Sequence, residues 1–279
     1  MSAPSLAPTT PNPLAPAVVY DAIVDDPGLI VLPVTVKTWL RAVLSGCYIA
    51  FGGLVAVAVV GSSPALVAWA PGLARLIFAL VFPVGLLLNL SHGGELFTGN
   101  TFRGAAAVLG GKATISQLAK NWAVVFCGNF LGCLAILTVV LASGLFPSGS
   151  PAAAFAQSLA DAKMALPLGE TFFRAVLANW LVVLAVWQAS SARTATDRFF
   201  AVWPPISAFV AAGLEHSVAN MLLVPLGMAV GAEGLSAASF ARFLTTNLAP
   251  VTLGNVVAGA VIVAGASHVA YGRRRTAGV

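Results

Sequence analysis

Ser91-His92-Gly93-Gly94-Glu95-Leu96-Phe97-Thr98-Gly99-Asn100 is a polar, glycine-rich run set in the middle of an apolar segment that extends from about residue 74 to 111. No continuous helix favours this composition. An unpaired N–H or C=O facing hydrocarbon costs several kcal/mol, so irregular backbone at membrane depth persists only where protein buries it or where it lines a watery path. A second run of the same kind, Gly213-Leu214-Glu215-His216-Ser217-Val218-Ala219-Asn220, follows Trp203-Pro204-Pro205 within the apolar segment 198–230. Two broken apolar helices in one chain point to a pore or a transport path.

The rest of the chain supports a lipid setting. Of 279 residues, 59% are hydrophobic and 8% charged, with a mean hydropathy of +0.94, a balance that no water-soluble core of this size requires. Apolar segments near 38–60, 74–111, 115–145, 171–192, 198–230 and 251–271 are each long enough for the roughly 20 residues that carry a helix across about 30 Å of hydrocarbon. The expectation is an all-α membrane protein with six crossings, in which the second and fifth are interrupted. Residues 1–36, rich in Pro, Ala and Ser, are expected to form a retained and partly disordered tail. Residues 37–272 form one transmembrane domain, and 273–279 a short second tail.

The net charge of +5 comes from basic residues scattered singly, with no basic stripe of the kind that binds nucleic acid. Sorted by side, Lys37, Arg41, Arg103, Lys112, Lys120, Arg193, Arg198, Arg273, Arg274 and Arg275 fall with the termini, against Arg75, Lys163, Arg174 and Arg242. Ten against four places both termini in the cytoplasm. Cys47, Cys127 and Cys133 lie in apolar runs without metal-ligand spacing and read as small packing residues.

The two halves of the chain, about 38–145 and 171–271, echo each other. Arg41-Ala-Val-Leu-Ser-Gly returns as Arg174-Ala-Val-Leu-Ala-Asn, the Glu-x4-Asn spacing of Glu95 and Asn100 as Glu215 and Asn220, and Gly128-Asn129 as Gly254-Asn255. Because each half holds three crossings, an odd number, the second enters from the opposite face, giving an inverted repeat with its site near the midplane. A half-helix that starts after each break offers free N–H groups and the positive end of its dipole to an anion. Thr98 and His216 can add side-chain donors, whereas Glu95 and Glu215 read as loop-stabilising groups that accept backbone N–H bonds. Gly128 and Gly132 have the small-xxx-small spacing of closely packed helices.

Along these stretches the chain resembles the formate/nitrite transporter family. The residues that carry the resemblance are Phe209-Val210-Ala211-Ala212-Gly213-Leu214-Glu215-His216-Ser217-Val218-Ala219-Asn220-Met221, Glu95-Leu96-Phe97-Thr98, Leu118-Ala119-Lys120-Asn121-Trp122, Ala178-Asn179-Trp180-Leu181-Val182 and Pro250-Val251-Thr252-Leu253-Gly254-Asn255. The resemblance implies a homopentamer in the bacterial inner membrane, each protomer holding its own aquaporin-like pore, with no cofactor or metal. It also implies constrictions at Phe82, Leu86, Leu96, Val182 and Phe209, with His216 and Thr98 facing the lumen between them. Asn179 and Asn255 match polar positions near the pore, and Lys163 an external lysine that attracts anions. The implied substrates are small monovalent weak-acid anions, namely formate, nitrite or hydrosulfide, with protons as a second partner; the lining match leans towards formate.

Other classes fit less well. An isolated buried imidazole ordinarily does no more than pin a loop, and Thr98 can be an ordinary capping residue. Lys163 can be a solvated loop lysine, and His92 either bonds within its loop or alters selectivity. A water or neutral-solute channel can share the architecture, but the paired Asn-Pro-Ala loops are missing. An intramembrane enzyme is disfavoured, because His92 with Glu95 and Glu215 with His216 lack a zinc-ligand pattern, and the adjacent Ser91 and His92 cannot act as nucleophile and base.

Overall fold

The computed structural model describes residues 14–25, 34–232 and 234–272, and among them all regular structure is helical. Helix α1 spans Pro16–Asp25, α2 Val36–Gly61, α3 Pro64–Trp69, α4 Pro71–Val81, α5 Val84–Ser91 and α6 Phe97–Leu109. They are followed by α7 Ile115–Ala142, α8 Pro151–Met164, α9 Leu168–Ser191, α10 Ala195–Ala211 and α11 Ser217–Val230. The last, α12, runs from Ala237 to Tyr271 with π-helical turns at Phe243–Leu248 and Val257–Val263. Five stretches are long and apolar enough to cross a membrane: α2, α4 with α5, α7, α9 and α12.

The segment expected to hold a broken second crossing divides at 92–96 into the α4–α5 unit and α6; Phe82-Pro83 makes only a one-turn hitch between α4 and α5. In the fifth, Pro204 and Pro205 lie inside α10 and the chain breaks only at 212–216. The sixth segment begins at Ala237, well before the expected 251. The hydroxyls of its Thr245, Thr246 and Thr252 each donate back to a carbonyl three or four residues earlier. That bond removes the cost of an unpaired hydroxyl in an apolar setting.

Glycine decides how the long helices meet. A Cβ at Gly128 would stand 2.6 Å from Ala42 Cβ, and one at Gly132 would collide with the Val43 carbonyl. The small-xxx-small face of α7 therefore seats directly on the α2 backbone, as expected from the sequence. Gly254 seats α12 against the Phe172 carbonyl of α9 in the same way.

Helices α1, α3 and α8 were not anticipated. Helix α8 is started by Ser150, whose side chain accepts from Ala153 N, with Pro151 in the first turn. Its Ala152, Ala153, Ala156 and Ala160 are buried, and Gly61 of α2 and Gly227 of α11 admit its backbone. Helix α1 lies within the expected tail. It buries Val19, Tyr20, Ile23 and Val24, one face at helical spacing, against Phe102, Val183 and Val263. The Tyr20 hydroxyl, whose pKa burial pushes up to about 12, stays protonated and is hydrogen-bonded to His268 Nδ1 at 2.8 Å. Arg273, Arg274, Arg275 and most of the expected tail lie outside the described residues.

Candidate functional site: a duplicated loop pair with an unequal centre

Each break between helices is built from the same parts. Gly93 and Gly213 take φ of 65° and 69°, the left-handed region where a side chain is strained, and let the chain reverse before Glu95 and Glu215. The Asn129 side chain then holds the first loop. Its Oδ1 accepts from Phe97 N at 2.9 Å, and its Nδ2 donates to Ala42 O and Glu95 O, both at 2.8 Å. Asn255 holds the second identically: Oδ1 accepts from Ser217 N at 2.9 Å, and Nδ2 donates to Ala175 O at 2.8 Å and Glu215 O at 3.2 Å.

The carboxylates are duplicated too, although their partners are side chains and not the backbone N–H groups expected. Glu95 accepts from Asn100 Nδ2 at 2.7 Å and faces Arg41 at 3.5 Å. Glu215 accepts from Asn220 Nδ2 at 2.6 Å and from Lys163 Nζ at 2.8 Å. Asn100 and Asn220 donate onward to Asn121 and Asn247, at 3.1 and 2.9 Å. Asn121 and Asn247 were not singled out in the sequence. Both stand eight residues before the asparagine of the Gly-Asn pair, a spacing that the repeat would have revealed.

The duplication fails at the centre. His216 occupies the place of Leu96, and Thr98 that of Val218, so the one polar pair takes a residue from each half. Thr98 Oγ1 and His216 Nε2 are 2.9 Å apart, and both residues are buried. His216 also caps α11, its Nδ1 accepting from Ala219 N at 3.1 Å. A neutral imidazole that accepts at Nδ1 carries its proton on Nε2, so the N–H points at the Thr98 hydroxyl. Behind the pair, Asn179 Nδ2 donates to Asn255 O at 2.6 Å and Thr101 Oγ1 at 3.0 Å. Asn179 stands where the first half has Gly46, and Gly259 leaves it room.

Two cavities are lined by different sets of basic residues. The larger, about 350 Å³, is lined by Lys163, Arg75 and Arg174, with Glu215, Phe82, Phe209 and His216 deeper in its wall. Phe82 and Phe209 meet edge to face with centroids 5.8 Å apart, and Phe209 lies 5.8 Å from the His216 ring. The smaller, about 260 Å³, is lined by Arg41, Arg103 and Arg198. Of the expected constriction residues, Phe82 and Phe209 thus gather at His216, whereas Leu86, Leu96 and Val182 are buried and line neither cavity. Asn255 has its amide wholly committed to the loop. Lys163 belongs to the last turn of α8 and not to a loop, and the 13% exposure of its side chain reflects the pairing with Glu215. His92 is exposed, bonded to Leu88 O at 2.9 Å, and lines neither cavity.

A multi-pass helical membrane protein with two duplicated half-helix loops and a polar pair between them defines the class as a transmembrane channel or transporter. The particular group follows from likeness to known proteins: residues 31–269 match the family model described as formate/nitrite transporter, and the chain belongs to that family. It is 38% identical over 242 residues, 82% of this chain and 86% of the other, to a probable formate transporter of Methanothermobacter thermautotrophicus. It is 37% identical over 212 residues, 69% and 72% of the two chains, to the formate channel FocA of Haemophilus influenzae. A solved pentameric formate channel with formate bound shares 30% identity at a TM-score of 0.73, covering 85% of this chain and 97% of that one.

Proposed function

We propose that the protein conducts small monovalent weak-acid anions, formate first among them, across the bacterial inner membrane. It does so as a homopentamer of six-crossing protomers, each with its own pore between inverted repeats. The α10–α11 pair supplies the crossing that no single helix provides. Both termini face the cytoplasm, and nitrite and hydrosulfide are the competing substrates of the same class. The observation that carries the reading is the Thr98–His216 pair at the apolar floor formed by Phe82 and Phe209.

Lys163, Arg75 and Arg174 raise the local anion concentration in the larger cavity. A bare carboxylate cannot cross the phenylalanine gate without losing its hydration, whereas the neutral acid can. At the gate the Thr98 hydroxyl can donate to the anion, and the Nε2–H can once it leaves Thr98 Oγ1. For the imidazole to give up the Nε2 proton without becoming an anion, Nδ1 must take one from the solvent of the larger cavity, which His216 lines. Nδ1 then releases Ala219 N, so proton transfer and loosening of the α11 cap are one event. Glu95, Asn100, Glu215 and Asn220 keep the loops in place, as Asn129, Asn179 and Asn255 do from the flanking helices. Replacing His216 with Asn tests this, since Asn can still cap α11 through Oδ1 but offers no titratable nitrogen. Formate flux should lose its pH dependence; a pH profile identical to the parent's in His216→Asn contradicts the role.

A further inference from the structure

The two cavities differ in the charged residues that line them. The larger has a carboxylate, Glu215, among its three cations. The smaller gathers Arg41 of α2, Arg103 of α6 and Arg198 of α10, and among the described residues no carboxylate lines it. Arg41 reaches Glu95 at 3.5 Å and donates from Nε to Gly93 O at 2.5 Å, but no described carboxylate pairs with Arg198. Asn89, 1% exposed, completes the wall, and its Oδ1 is buried without a hydrogen-bond partner. Ile23 of α1 closes the side.

An electrostatic funnel for a monovalent ion needs only exposed cations of one sign. Three guanidiniums brought from three helices to a cavity of about 260 Å³ are more than that. The planar fork of arginine matches phosphoryl oxygens two at a time, and the unpartnered Asn89 Oδ1 can accept from a protonated phosphoryl oxygen. We propose that this cavity is a binding site for a phosphoryl dianion, held by Arg41, Arg103 and Arg198 with Asn89 at its wall. The occupant lies across the mouth on its side and slows anion entry there. That consequence rests on the channel reading, whereas the binding does not.

Inorganic phosphate titrated calorimetrically into the purified full-length protein, at fixed ionic strength with chloride as the balancing anion, tests the site. Phosphatidic acid in nanodiscs is the second arm, and it separates a lipid source from a soluble one. The expected result is saturable binding in at least one arm, weakened roughly tenfold in Arg198→Gln and less in Arg198→Lys. Thermal melting of each variant checks that the fold survives. Binding in neither arm, or an affinity indifferent to both substitutions in variants that melt like the parent, overturns the proposal. Formate flux is measured separately, so a failed channel reading leaves the binding result standing.

Discussion

At the scale of single residues, His216 has two duties that different substitutions separate. Asn preserves the cap on Ala219 N and Ala does not, so His216→Ala should lose about 1 kcal/mol more thermal stability than His216→Asn, while both abolish pH-dependent flux. Thr98→Val keeps the shape but leaves Nε2–H unpaired, which should cost about 1 kcal/mol and slow flux. Flux equal to the parent in Thr98→Val would assign Thr98 to packing alone. Both residues were legible in the sequence, because each stands beside a Glu-x4-Asn echo in a polar run. Their contact was not legible, since 118 positions separate them and only the crossing of the two halves brings them together. Asn179 and Asn255 were legible through the family resemblance, but nothing in the spacing told that Asn255 would be committed to the second loop and to Ala175 of α9.

Among elements, the Asn129 and Asn255 clamps make the same three bonds in each half, so Asn129→Ala and Asn255→Ala should destabilise the fold to a similar degree, by about 2 kcal/mol or more, as each leaves buried backbone groups unpaired. Denaturation in mild detergent measures this, and a large inequality would mean that the halves are not energetic equivalents. Removing Lys163 strands Glu215 in a buried setting, where loss of one partner of a pair costs about 3 kcal/mol. Glu215→Gln in the Lys163→Met background should recover most of the loss. Tyr20→Phe removes the hydrogen bond from α1 to α12 and should speed amide exchange over 16–25 roughly fivefold. The breaks at 92–96 and 212–216 could be read from Gly and Glu at membrane depth. Helix α8 could not, because its Ala-rich sequence has little periodic contrast and its burial depends on Gly61 and Gly227 far along the chain. The early start of α12 was hidden for the opposite reason: Thr245, Thr246 and Asn247 interrupt the apolar run, and their satisfaction within the fold is not visible in the sequence.

For the whole molecule, the repeat, the apolar crossings and the segregation of basic residues describe one object. The cations sorted by sequence to opposite sides line different cavities, Lys163, Arg75 and Arg174 in one and Arg41, Arg103 and Arg198 in the other. A single cysteine introduced beside Arg75 should therefore be labelled by an impermeant reagent from the cell exterior, and one beside Arg198 only after lysis. What one chain leaves unstated is how copies associate, because its exposed Leu, Val and Phe side chains suit lipid and a neighbouring protomer alike. Native mass spectrometry in detergent should show five copies. The most direct measurement is uptake into proteoliposomes of formate, nitrite, hydrosulfide and chloride at acidic and neutral pH. Selective flux of a weak-acid anion, formate foremost, that rises with acidity and exceeds chloride is the expected result; water permeation without anion flux would contradict the account.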